Sequence, residues 1–278
     1  MLIRCENVSY RYPSGTCALA ELSLELAPGR CLGIVGANGA GKSSLLLLMA
    51  GLREPSTGTV WLEGERGGRG AAARRRFRES TALVLQDPDD QLVAPTVWED
   101  VAFGPANLGL TKDEIRARVE QSLEALGLVE LAGRSPHLLS YGQRRRVGLA
   151  GALAMRPKAL LLDEPSAGLD SRGEALLRTT LRDLVRAHGL ALVIATHDLD
   201  RLQGLVDDIA LLHRGRLLRC DTAAAVLGDE ALLRQAELRP PLLVELLGNL
   251  MRSGALPHGP LSASLTEVEA ILAEALQR

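Results

Sequence analysis

The chain has 278 residues, enough for one large α/β domain with material left over for a small appendage. It is 46% hydrophobic and 24% charged but only 3% aromatic, so its core must be built mainly from Leu, Ala and Val. The net charge of −2 argues against broad binding to nucleic acid, and no run of about 18 apolar residues is available to span a bilayer. Cys5, Cys17, Cys31 and Cys220 show no C-x-x-C spacing and read as reduced thiols. The start, Met1–Glu6, lacks the apolar stretch of a signal peptide, so the chain reads as cytoplasmic and any transport role requires separate membrane subunits.

Leu2–Ser9 and Leu19–Leu26 alternate apolar and polar residues imperfectly, as half-buried strands do. Cys31–Val35 is a short apolar strand that runs into a Gly-rich turn and then a Leu-rich helix, Lys42–Leu52. After a turn at Glu54–Gly58 comes a strand at Thr59–Leu62. Arg66–Ala73, rich in Gly and Ala, reads as a surface loop before the strand Thr81–Leu85. From Thr96 the pattern turns helical, and four capping boxes mark helix starts at Thr96/Glu99, Thr111/Glu114, Ser140/Gln143 and Ser171/Glu174. Ala159–Leu162 and Leu190–Ala195 are uninterrupted apolar runs typical of strands buried on both faces, followed by strands at Asp208–His213 and Arg216–Cys220. Strands alternating with helices imply a mainly parallel sheet, with the early strands forming an antiparallel side sheet. The expected layout is a main domain over residues 1–227, containing a helical subdomain at about 96–157, and a small helical appendage over 228–278. Short amphipathic helices are expected there at Glu230–Glu237, Pro241–Arg252 and Thr266–Gln277. A tail packed onto the main domain would fit the same pattern.

Gly36-Ala37-Asn38-Gly39-Ala40-Gly41-Lys42-Ser43 fits G-x-x-x-x-G-K-[ST] and lies between a buried strand and a helix. Its glycines let backbone N–H groups wrap around phosphate oxygens, and the helix N-terminus adds favourable charge. Lys42 would reach the β- and γ-phosphates of ATP and the Ser43 hydroxyl would ligate Mg²⁺, with Ser44 completing the cofactor-binding stretch. Leu160–Leu162 then delivers Asp163 beside Mg²⁺, and Glu164 points to where water must attack the γ-phosphate. Gln86 and His197 each follow a strand, and strand C-termini of a parallel sheet converge on one ligand-binding edge. Gln86 is expected near Mg²⁺ or the attacking water, His197 near the γ-phosphate. His137, His188, His213 and His258 read as surface histidines in turns.

Over Leu2–Leu227 the chain resembles the ABC ATPase family, through the loop above and the signature Leu139-Ser140-Tyr141-Gly142-Gln143. Tyr141 stands where the family usually has glycine. The resemblance implies a P-loop ABC ATPase fold with a helical signature subdomain. It implies a D-loop at Ser166–Asp170, with Asp170 coupling two sites, and adenine stacking by Tyr12, with Tyr10 as runner-up. It further implies a second ATPase subunit, identical or closely related. Each ATP would lie on one subunit's P-loop and under the other's Ser140, Gly142 and Gln143. Arg144-Arg145-Arg146, next on the signature helix, reads as a solvated or subunit-contacting face rather than a nucleic-acid patch.

Gln86–Leu92 and Thr96–Pro105 resemble the ATPase subunits of energy-coupling-factor importers. The variant Leu-Ser-Tyr-Gly-Gln and Ala150–Met155 lean toward the cobalt/nickel branch. That resemblance implies a transmembrane scaffold subunit and a substrate-binding membrane subunit, with this chain peripheral on the cytoplasmic face. Leu92, Val93, Val97, Trp98 and Phe103 suit a groove for a membrane subunit's helix, although Val97 and Val101 suit the core better. The rivals are the ATPase of a vitamin importer or of an exporter, a soluble ABC ATPase linked to nucleic acid, and, more remotely, a P-loop kinase. No His/Cys/Asp cluster suits cobalt or nickel, so the only metal expected on this chain is Mg²⁺, at Ser43, Gln86 and Asp163.

Overall fold

A computed structural model describes residues 1–68, 70–256 and 264–276. The chain opens with an antiparallel pair, β1 (Ile3–Arg11) and β2 (Cys17–Leu26), and then runs through the fully buried β3 (Cys31–Val35). The helix after the Gly-rich loop, α1, spans Lys42–Met49 rather than reaching Leu52. Gly51 follows it in the left-handed region (φ +68), where a glycine ends a helix without a Cβ penalty. Strands β4 (Thr57–Leu62) and β5 (Glu65–Arg66) complete a four-stranded antiparallel side sheet ordered β2-β1-β4-β5.

The stretch expected to be a loop before residue 81 instead contains a helix, α2 (Ala71–Ser80). Ala and Arg are strong helix formers, and Ala73 and Phe77, four apart, give it a one-residue-wide apolar stripe to bury. Strand β6 (Thr81–Val84) follows, then three helices: α3 (Val97–Asn107), α4 (Lys112–Ala125) and α5 (Tyr141–Ala154). Each begins at one of the first three capping boxes, with both reciprocal hydrogen bonds in place, and they pack on one another as a helical layer. The remaining alternation is β7 (Ala159–Asp163), α6 (Ser171–His188), β8 (Ala191–Thr196), β9 (Asp208–His213) and β10 (Arg216–Thr222). The fourth capping box does not form. Asp170 caps α6 by accepting from Gly173 N at 2.7 Å, and Ser171 is the first helical residue, because a carboxylate one position earlier takes the free N–H.

The second sheet has the order β10-β9-β3-β8-β7-β6, parallel except for β10. Its central strands are buried on both faces, and their side chains divide by parity. Leu160, Leu162, Leu192 and Ile194 pack with the helical layer, while Leu161, Ala191 and Val193 pack with α1 and the side sheet. Apolar residues of α1, including Leu45, Leu46 and Leu48, therefore lie between the two sheets.

The tail forms α7 (Ala223–Leu227), α8 (Glu230–Gln235), α9 (Leu242–Arg252) and α10 (Leu265–Leu276). Leu233, Ala236, Leu238 and Val244 belong to the main core, so α8 and the start of α9 are packed onto it. Leu247, Met251, Leu256 and Val268 form a small cluster of their own with α10. His258 and most of the Pro/Gly/Ser-rich stretch 253–264 fall outside the described residues.

Candidate active site

Four parallel strands deliver their C-terminal ends to one edge: β3 leads to Gly36, β6 to Gln86, β7 to Asp163 and Glu164, and β8 to Thr196 and His197. The loop from Gly36 is closed by steric demand. A Cβ at Gly36 would stand 2.6 Å from the Leu212 carbonyl, and one at Gly41 (φ +102) would stand 2.6 Å from that of Ala18. Both contacts are against backbone, so only glycine lets the loop turn this tightly. Gly39 is also left-handed (φ +82), and Asn38 and Gly39 are exposed at the loop's crest. Lys42 is buried beneath it, its Nζ donating to the carbonyls of Gly36 (2.8 Å) and Ala37 (3.2 Å). No side chain caps α1, so its first N–H groups and the loop amides present an anion cradle.

Burial pulls the Lys42 ammonium below its usual range, opposed by the charges of Glu164 and Asp163. The Asp163 carboxyl is pushed up by burial and by Glu164, against a hydrogen bond from Ser43 and the charges of Lys42 and Arg145. The donor set that would hold Mg²⁺ is thus a hydroxyl and a buried carboxylate, both hard oxygen ligands. That matches the preference of Mg²⁺ for few protein ligands. Among the described residues no group of three or more His, Cys, Asp or Glu side chains is arranged to hold a metal ion.

Glu164 is held at its carboxylate by three donors. Oε2 accepts from Thr196 Oγ1 (2.8 Å); Oε1 accepts from the His197 backbone N (3.0 Å) and lies 2.6 Å from His197 Nδ1. Its backbone is left-handed (φ +46), a conformation a non-glycine residue adopts only when its surroundings impose it. Tyr12, half-buried, bonds Ser44 Oγ through its hydroxyl at 2.9 Å and so flanks the start of α1. Tyr10 is buried in the side-sheet core and packs edge-on against Tyr12, which removes it as a stacking surface.

Gly36–Ser44, Tyr12, Asp163, Glu164 and His197 therefore come together in one place. Gln86 is exposed at the neighbouring strand end and joins the network through its carbonyl, which accepts from Tyr141 Oη at 3.2 Å. Ser140 and Gln143 are engaged in their own capping box, and Gly142 faces Leu169 in the loop before α6. Asp170 is occupied as the α6 cap. His137 is exposed and His213 half-buried at the end of β9.

Two expectations need correction. The Arg144–Arg146 run is not a solvated face. Arg144 pairs with Asp89 and Leu139 O, Arg146 donates to Leu126 O at 2.9 Å, and Arg145 is only 4% exposed. Arg145 lies four residues before Leu149 and seven before Ala152, the helical spacing of the buried face, which is the signal that would have placed it inside. Among the residues proposed for a docking groove, Leu92 joins Val97 and Val101 in the core, while Val93 (70% exposed), Trp98 (37%) and Phe103 (58%) stand outside. Thr196, which fixes the Glu164 carboxylate, was not marked by any motif.

The profile of the ABC transporter family matches residues 19–167. A cobalt import ATP-binding protein, CbiO, of Rhodobacter capsulatus is 48% identical over 98% of this chain and 96% of its own length. An energy-coupling factor transporter ATP-binding protein, EcfA, of Methanosphaera stadtmanae is 38% identical over 95% of each. The solved structure of CbiO1 from Clostridium perfringens, part of the CbiONQ ABC transporter complex, aligns with a TM-score of 0.75 at 35% identity. That alignment covers 89% of this chain and 98% of that one.

Proposed function

The chain belongs to the ABC transporter family as one of its ATPase subunits, and on that premise we propose that it powers the import of cobalt or nickel ion as half of a two-site dimer. The dimer docks peripherally, on the cytoplasmic face, against a transmembrane scaffold and a substrate-binding membrane subunit. The observation that carries the docking half of this reading is the trio Val93, Trp98 and Phe103. These large apolar side chains are exposed on and just before α3, directly downstream of Gln86 at the site edge. Large apolar side chains left exposed beside the site edge suit contact with a partner helix. The cargo rests on the names of the relatives.

In the chemical step, water held at the Glu164 carboxylate loses its proton to it while attacking the γ-phosphorus, and the bond to the β-phosphate oxygen breaks. With His197 Nδ1 turned to Glu164, Nε2 is the ring nitrogen available to the γ-phosphate. Lys42 stabilises charge on the β- and γ-oxygens, and Tyr12 stacks on adenine. Ser43 and Asp163, with Gln86 nearby, would hold Mg²⁺, which would supply electrostatic stabilisation of the phosphates.

The test is to tag the chain in its native cell, solubilise membranes gently, and measure both what co-purifies and which uptake fails when the chain is deleted. Recovery of a small transmembrane scaffold with a metal-recognising membrane protein, and loss of cobalt or nickel uptake, is the expected outcome. A vitamin-binding partner would overturn the cargo alone. Recovery only from the soluble fraction with ribosomes or nucleic acid would overturn the transporter.

A further inference from the structure

Arg145 is a buried cation, and among the described residues no carboxylate is hydrogen-bonded to it. Its guanidinium donates instead to three backbone carbonyls of a single loop: Ala167 O from Nη1 at 2.7 Å, Asp163 O from Nη2 at 3.1 Å, and Glu164 O from Nη2 in a short contact. Its Nε has no partner. Burying a charge on these terms is costly, and packing alone would be better served by Met or Leu. What the arrangement does achieve is positional. Glu164 is fixed at its carboxylate by the end of β8 and at its carbonyl by α5, the signature helix, which is how its left-handed backbone is imposed.

Tyr141 completes the connection. Its hydroxyl accepts from Arg145 Nη1 (3.3 Å) and donates to Gln86 O (3.2 Å), satisfying both of its hydrogen-bonding roles. Its ring lies against Gly168 so closely that a Cβ there would stand 2.6 Å from the ring edge. The Arg144 and Arg145 guanidinium carbons sit 5.9 and 6.0 Å from the ring centroid. One residue at the start of α5 thus touches the Gln86 loop, the loop before α6 and the arginine that holds Glu164.

We infer that Arg145 and Tyr141 form a positioning unit that sets Glu164 for hydrolysis according to where the signature helix stands. The inference rests on Glu164 acting on the attacking water. A shift of α5 pulls on Arg145 and through it on the Glu164 backbone, and a displacement of about 1 Å at a reacting group can cost on the order of 100-fold in rate. Among the described residues neither side chain hydrogen-bonds to the Gly36–Ser43 loop, so the unit is expected to act on turnover and leave affinity alone.

The experiment compares full-length wild type with Arg145→Met, Arg145→Lys, Tyr141→Phe and Glu164→Gln for melting temperature, KM for Mg-ATP and kcat. Arg145→Met is expected to lower kcat about tenfold or more with KM within about twofold, and Arg145→Lys to recover part of the loss. Tyr141→Phe, a half-exposed and isosteric change, should lower kcat about threefold with no change in melting temperature. If Arg145→Met does not fold, Tyr141→Phe decides alone. An unchanged kcat in the folded variants, or a rise in KM that accounts for the loss, overturns the unit while Glu164→Gln remains inactive. Wild-type turnover by Glu164→Gln overturns the underlying role of Glu164 instead.

Discussion

The N-termini of α1 and α5 are both assigned to phosphate, yet they are built in opposite ways. At α1 the capping position is Gly41, left-handed and without a side chain, and no acid occupies the first turn. The N–H groups there are left for a ligand, and Lys42 is already buried beneath them. At α5 the chain satisfies itself. Ser140 Oγ accepts from Gln143 N at 3.3 Å, and Gln143 Oε1 accepts from Ser140 N at 2.9 Å. An anion arriving at α1 displaces only the Lys42 contacts to Gly36 and Ala37, whereas one arriving at α5 must compete with a capping box worth about 1 kcal/mol. The first cradle is complete within one chain, whereas at the second the ligand of the proposed dimer would have to displace the capping box. On the proposed dimer mechanism binding would precede closure, and closure would have to supply the free-energy difference between the two ends.

Breaking the α1 side has the largest expected effect. Lys42→Ala removes the cation buried under the cradle, and hydrolysis should fall by about 100-fold or more, read as phosphate release. The α5 side should respond differently. Ser140→Ala is expected to leave nucleotide affinity within about twofold, since binding belongs to α1, while lowering kcat about tenfold. A loss of nucleotide affinity of about tenfold or more in Ser140→Ala would mean the two ends share the binding step and would remove the distinction.

Asp163 sharpens the comparison from the side of stability. Its carboxyl is raised above the ordinary 3.8, chiefly by burial. Between that value and the raised one the native chain holds more protons than the unfolded chain, so this group's contribution to stability falls as pH rises through the window. At neutral pH the ionised form is a net cost, and Glu164 remains to balance Lys42 if Asp163 is neutralised. Asp163→Asn should raise the melting temperature of the nucleotide-free chain by about 2–4 °C and abolish the further rise given by Mg-ATP. A lowered melting temperature would show that the charge supports the fold.

Most of the frame could be read in the residues. The fully apolar runs gave β3 and β7 nearly to their ends, and the three reciprocal capping boxes fixed the starts of α3, α4 and α5, because both signals are local and strong. α2 was illegible because only two of its apolar side chains, Ala73 and Phe77, are buried, in a stretch otherwise rich in Gly, Ala and Arg. The site's titrating groups were legible as motifs, but what holds them was not. Arg145 sits in a basic run that looks solvated, and only the register of α5 turns it inward, onto carbonyls that carry no sequence signature. Thr196 was hidden for the same reason, as one more residue of a buried strand.

Glu164 is expected to be needed for hydrolysis and not for binding or closure. The direct measurement follows dimer formation and phosphate release together in Glu164→Gln with Mg-ATP. The expected result is a stable ATP-bound dimer with phosphate release lowered by about 100-fold or more. Release at the wild-type rate from that variant would contradict it.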